Sequence, residues 1–235
     1  MSKILKLHGS STALNILDIS HHGNIKRQLL KKILKCVYSH NTQLQKLGIS
    51  VNGDNCLIMS CVSSCRALTS LTITVYPRNI YAEELFPKSL KLPALTSLDI
   101  MNFTFCGDEN GWAEPFLAFP RLNSLIIHSC QIRAAKILEI SSETLANLAM
   151  LDNSFDFAEL ELFAPSLCTF TGKPLLQICR SGLSSVKHAT IYARMYSKWE
   201  DCPRTLFSWI LYLFNVKSLT ISATTLQVPC HLFVL

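Results

Sequence analysis

One short pattern recurs along the whole chain and constrains what the chain can build. Leu-x-x-Leu-x-Ile/Met occurs at Leu14-Leu17-Ile19, Leu44-Leu47-Ile49, Leu68-Leu71-Ile73, Leu95-Leu98-Ile100, Leu122-Leu125-Ile127 and Leu145-Leu148-Met150. Looser copies stand at Val186-Ala189-Ile191 and Val216-Leu219-Ile221, and a degenerate one at Leu167-Phe170, where Gly172 takes the third slot. Successive starts are separated by 30, 24, 27, 27, 23, 22, 19 and 30 residues, a mean of about 25. Echoes outside the pattern support the alignment. LTSL opens two copies and LNSL a third, and Pro93, Pro120 and Pro165 each stand two residues before a first leucine.

The second leucine and the isoleucine lie two residues apart, so both point to one face of a short strand. A single strand cannot bury that face alone, and copies must stack on each other to form a continuous core. A period of roughly 20–29 residues built this way is that of a leucine-rich repeat. The expected fold is therefore an α/β leucine-rich-repeat solenoid of about nine repeats. A curved parallel sheet forms its concave face, and helices and irregular turns cross the convex face. Residues 1–13 read as a partial N-terminal repeat or cap, 14–226 as the solenoid and 227–235 as an irregular uncapped tail.

Two return segments carry helical signals. Between Asn24 and His40, Ile25, Leu29, Leu30, Ile33, Leu34, Val37 and Tyr38 recur at helical spacing, with Lys26, Arg27, Lys31, Lys32 and Lys35 opposite. That basic face reads as a solvated surface. Leu206 to Phe214 predicts a more fully buried helix before the last strand, and Cys106–Pro115 an irregular loop.

Composition narrows the class. Hydrophobic residues make up 49% of the 235 and charged residues 16%, which excludes disorder. The longest apolar run, Leu206 to Val216, spans 11 residues, against about 20 needed to cross a bilayer, so no membrane partner is expected. A net charge of +6 lacks the clustered basic stripe of nucleic-acid binders, and no nucleic-acid partner is expected. The apolar stretch after Lys3 and Lys6 is broken by His8, Gly9 and Ser10, unlike a secretory signal. Ten cysteines in a chain this long read as reduced thiols of a cytoplasmic or nuclear protein.

The exposed strand positions supply the candidate binding face: Lys46, Ser70, Thr72, Ser97, Asp99, Ser124, Ile126, His128 and Asn147, extended by Ile16, Asp18, Lys217 and Thr220 toward the ends. Parallel strands place equivalent residues side by side, so Ser70, Ser97 and Ser124 are expected in one lateral row, with Asp99 between Thr72 and Ile126. Extended concave faces of this kind hold protein targets.

Other constellations carry weaker chemistry. Cys56, Cys61 and Cys65 are spaced C-x4-C-x3-C with no matched pair downstream, and read as core thiols rather than zinc ligands. His21-His22-Gly23-Asn24 reads as a turn. Asp152, Asp156, Glu159 and Glu161 read as a solvated acidic loop rather than an acid–base pair, and Cys130 near His128 as structural. No nucleophile-elbow, zincin or P-loop pattern occurs, so no enzymatic activity, metal or cofactor is expected.

The segments SCRALTSLTI (64–73), LPALTSLDI (92–100), FPRLNSLIIHSCQI (119–132) and FAPSLCTF (163–170) resemble the leucine-rich-repeat regions of plant F-box proteins. In that family a Pro or Cys shortly precedes the first leucine, and a Cys- or Asn-containing turn follows the strand, as in His128-Ser129-Cys130-Gln131-Ile132. The resemblance implies the substrate-recognition repeats of an SCF-type ubiquitin ligase, with a protein target on the concave face. It covers the repeats only: neither the F-box that docks a Skp-type adaptor nor the FBD-type domain is expected within this sequence. Adaptor binding is accordingly expected only if an F-box is supplied. The alternative is a recognition fragment of another intracellular leucine-rich-repeat protein, such as an immune receptor.

Overall fold

The computed structural model describes residues 14–76, 84–153, 159–173, 177–179, 182–192, 202–213 and 215–222. The cap expected at 1–13, the tail at 227–235 and Asp156 lie outside them.

A nine-stranded sheet dominates the fold. It is formed by β1 (Ile16–Asn24), β2 (Lys46–Asn52), β3 (Ser70–Thr74), β4 (Ser97–Met101), β7 (Ser124–His128), β10 (Asn147–Leu151), β12 (Thr169–Gly172), β14 (His188–Ile191) and β15 (Ser218–Ile221), in that order. Every pairing is parallel, and no strand crosses over another. Each strand carries one copy of the hydrophobic pattern, and the register aligns the copies: Leu47↔Leu71, Leu71↔Leu98, Leu98↔Leu125 and Leu125↔Leu148. The third-slot residues align likewise, from Ile19↔Ile49 through Ile127↔Met150. From Leu47 to Met150 these side chains are buried, each fully buried leucine or isoleucine stabilising by roughly 1.5–3 kcal/mol relative to exposure.

The approach to each strand is also repeated. Leu95, Leu122 and Leu167 donate their N–H groups to the carbonyls of Leu92, Phe119 and Ala164, closing tight turns with Pro93, Pro120 and Pro165 second in each turn. Proline presets φ at that position, which explains its spacing before the first leucine. The same bond forms at Leu68→Cys65, Val186→Leu183 and Val216→Leu213 without proline. One carbonyl then receives the two N–H groups that open the next strand. Gln45 accepts from Thr69 and Ser70, Thr69 from Thr96 and Ser97, Thr96 from Asn123 and Ser124, and Asn123 from Ala146 and Asn147. Seven residues after the first leucine, Asn102, Ser129 and Asp152 all take left-handed backbone, with φ of 65°, 50° and 49°. The residues after them, Phe103, Cys130 and Asn153, turn inward and are buried.

The return segments include the two expected helices but also an additional helix and several strands. α1 (Arg27–Ser39) buries Leu30, Ile33, Leu34 and Val37 at i, i+3, i+4 and i+7 and exposes its lysines. Its start is later than expected, because Asn24 still belongs to β1, and Tyr38 is 63% exposed rather than part of the stripe. The His21–Asn24 stretch is strand, not a free turn. A register shift between His21 and Asn24, with Gly23 at φ 92°, marks a bulge there. A second helix, α2 (Asn55–Ser63), is capped by Asp54, whose carboxylate accepts from the Leu57 N–H at 3.3 Å.

In the middle of the chain the returns are strands. β6 (Trp112–Ala113), β9 (Ile137–Ser141), β11 (Glu159–Phe163) and β13 (Gln177–Cys179) form a second parallel sheet. β5 (Thr104–Cys106) pairs with β8 (Gln131–Arg133). Glu159 and Glu161 therefore stand in a strand and not in a loop, and Leu160 and Leu162, which alternate with them, are buried. The Cys106–Pro115 segment is likewise ordered: Asp108 accepts the N–H groups of Asn110 and Trp112 at 2.9 and 2.8 Å and sets up β6. The final helix, α3 (Cys202–Tyr212), is one-sided rather than fully buried. Leu206 and Trp209 are inside, while Leu211 is 57% exposed. All these inner faces join a single hydrophobic core.

Candidate functional site

The strand residues that alternate with the buried ones form the outward face of the nine-stranded sheet. Its first row reads Ile16, Lys46, Ser70, Ser97, Ser124, Asn147, Thr169, His188 and Ser218, each the register partner of the next. Ser70, Ser97 and Ser124 thus lie side by side. The second row reads Asp18, Gly48, Thr72, Asp99, Ile126, Ala149, Thr171, Thr190 and Thr220, which puts Asp99 between Thr72 and Ile126. In the third row Met101 pairs with His128 and His128 with Leu151. Lys217 is the exception among the expected positions: it precedes β15, and Ser218 takes the place in the row.

Most of this surface is small and hydroxylated. Lys46 and Thr72 are exposed, and Ser70, Ser97, Asp99, Ser124, Ile126, His128 and Asn147 are half-buried by their neighbours. Hydrogen bonds tie rows across strands, as between Thr169 Oγ1 and Asn147 Oδ1 and between Ser50 Oγ and Tyr76 OH, the latter at 3.1 Å. Gly48 leaves room for a carboxylate: a Cβ there would come within 2.6 Å of Asp18 Oδ1.

Charge concentrates around His128. Its Nε2 lies 3.5 Å from Asp152 Oδ2, its Nδ1 lies 3.1 Å from Ser129 Oγ, and Lys173 pairs with the other oxygen of Asp152. Sequence reasoning read Asp152 as part of a solvated acidic loop and missed Lys173, because both follow their strands and only the parallel stacking of β7, β10 and β12 brings them to His128. Gly48, Ala149, Thr171 and Thr190 obey the spacing that identified Thr72 and Asp99, and the alternation alone could have found them. Asp99 differs from the other acids: burial pushes its carboxyl above the usual range, an effect that nearby His128 opposes.

Three of the thiols, Cys61, Cys65 and Cys130, are buried. Cys130 Sγ donates to the backbone oxygen of His128 at 3.4 Å, and burial pushes its pKa up to about 12. Its N–H donates to Asn153 Oδ1 at 2.8 Å, so this cysteine anchors the turn after β7. Cys61 and Cys65 sit inside, with Cys61 raised to about 11 by burial first and by Cys65 second, while Cys56 faces outward. Among the described residues no three His, Cys, Asp or Glu side chains gather to hold a metal, and no helix is long and apolar enough to cross a membrane. A cleft of about 600 Å³ opens on the second sheet, lined by Trp112, Glu139, Glu161 and Phe163 among others.

Compared with protein-family models and with curated proteins, the chain matches none.

Proposed function

We propose that this chain is a non-catalytic protein-interaction module, a leucine-rich-repeat solenoid of about nine repeats that resembles the substrate-recognition repeats of plant F-box receptors of SCF-type ubiquitin ligases. The target lies on the outward sheet face, centred on Ser70, Thr72, Ser97, Asp99, Ser124, Ile126, His128 and Asn147. The observation that carries this reading is the register. Nine copies of one motif pair in order, so their variable positions line up in straight rows over a scaffold whose other face is core. Repeated turns, shared carbonyls and recurrent left-handed residues support the repeat assignment. A face of short Ser and Thr side chains on paired backbone loses little conformational entropy on binding, which suits a rigid recognition surface.

The experiment compares proximity-labelled partners of the chain with those of a Ser97→Arg/Ser124→Arg variant and of an Arg121→Glu/Glu143→Arg control outside the rows. Partners that disappear with the first variant and persist with the control support the reading. Equal loss in both, or none in either, overturns it. In this role the chain binds no Skp-type adaptor until an F-box is joined to it. A stoichiometric complex of these 235 residues with such an adaptor would contradict that division of labour.

A further inference from the structure

Asp99 occupies the middle of β4 on the outward face, beside Thr72 on β3 and Ile126 on β7. Among the described residues its carboxylate has no hydrogen bond and no ion pair. His128 is its electrostatic neighbour, yet both nitrogens of that ring are engaged, Nε2 by Asp152 at 3.5 Å and Nδ1 by Ser129 at 3.1 Å. A half-buried carboxylate with no donor costs free energy that a binding partner's cation would recover. On one side of Asp99 the face turns apolar, through Ile126 and Ala149 in the same row. Adjacent strands lie about 4.8 Å apart, so these two stand roughly 5 and 10 Å from Asp99. An extended segment advances about 7 Å between residues i and i+2, which carries its next same-side side chain onto the Ile126–Ala149 surface.

We propose that Asp99 anchors the target by receiving a lysine or arginine side chain from an extended segment, whose apolar side chain two residues away seats on Ile126 and Ala149. The inference rests on the reading of this face as the target-binding surface and gives that target a chemistry: a basic residue paired with Val, Leu, Ile or Phe at i±2. Burial holds the Asp99 carboxyl above its usual range, consistent with a group that awaits a counter-ion. The protein as a whole carries +6, so a basic segment gains nothing from the overall charge and must be drawn by this local one.

The test is selection of a phage-displayed random-peptide library on the immobilised chain, followed by fluorescence anisotropy with one enriched peptide. Enrichment of the basic–x–apolar pattern is expected. Asp99→Asn should weaken the peptide about tenfold or more, and Glu143→Gln, an exposed carboxylate outside the rows, should leave it unchanged. Asp99→Asn removes a charge the fold disfavours, so it should fold at least as well as the parent, which circular dichroism checks. Ile126→Glu separates the two ideas. Peptides that lose binding with Ile126→Glu but not with Asp99→Asn, or that lack a basic residue, overturn the anchor and keep the face. A library that yields no binder, or binders indifferent to both Asp99→Asn and Ile126→Glu, removes the face and the anchor together, and binders lost with Asp99→Asn alone overturn the apolar seat.

Discussion

Asn153 offers the sharpest test of how the stacked turns are held together. Its side chain is buried, with 9% exposure, and bridges two neighbouring copies of the motif. Oδ1 accepts the Cys130 N–H at 2.8 Å and Nδ2 donates to the Ile127 carbonyl at 3.0 Å. In Asn153→Ala the Cys130 N–H remains buried without an acceptor, which costs about 1–3 kcal/mol, and the second bond contributes about 1 kcal/mol more. The expected loss is roughly 2–4 kcal/mol, equivalent to roughly 30- to 1000-fold easier local opening. Hydrogen exchange read by mass spectrometry on the peptide containing Cys130 measures this directly, with the urea midpoint from circular dichroism as the global check.

Asn153→Asp refines the argument. It retains an acceptor for Cys130 but turns a second oxygen toward the Ile127 carbonyl, so it should be as harmful as alanine at neutral pH. As a protonated acid it can donate to that carbonyl, and part of the stability should return as the pH falls. Exchange at Cys130 within about threefold of the parent in the alanine variant would refute the bridging role, because that corresponds to well under 1 kcal/mol.

Four further outcomes follow from the packing and the titrating groups. Trp209→Ala should destabilise by about 3–5 kcal/mol, because the indole lies 5.2 Å from the Phe170 ring and fills the space beside Gly172; chemical denaturation measures it. Gly172→Ala should cost about 1–3 kcal/mol, since its Cβ would approach the indole to 3.1 Å, whereas Gly172→Ile combined with Trp209→Ala should recover part of the tryptophan loss. In the native protein a thiol reagent should modify exposed Cys56 and spare Cys61, Cys65 and Cys130 until urea unfolds the chain; early labelling of Cys130 would contradict its placement. The Asp108 carboxyl is held below its usual range, first by the Trp112 N–H, so its contribution to the 108–112 turn is present above the ordinary carboxylate pKa and is lost only as pH falls through the depressed value. A carboxyl NMR titration should place its midpoint below the ordinary aspartate value.

How far the sequence predicts this molecule depends on which interactions are local. The strand positions were legible because alternation is enforced residue by residue: a slip of one would put Leu98 and Ile100 in solvent, so the pattern and the register determine each other. The rows of the outward face follow from that register, which is why Ser70, Ser97 and Ser124 could be aligned without coordinates. The return segments were harder to read. β9 and β11 carry the same alternation in ILEIS and ELELF, but their glutamates resemble a solvated run until Leu138, Ile140, Leu160 and Leu162 are known to pack into the shared core. α2 gives a poor helical signal because apolar residues occur all round NCLIMSCVS, so periodicity cannot identify its buried face. The degenerate seventh copy shows the limit most clearly. Gly172 looks like a lost core residue, and its space is filled by Trp209, more than thirty residues further along the chain. Likewise, His128 was legible as an outward strand residue, but its partners Asp152 and Lys173 come from two later strand ends. Repeats make the scaffold predictable one copy at a time; the chemistry on its face arises from contacts between copies, where the pattern no longer specifies the residue.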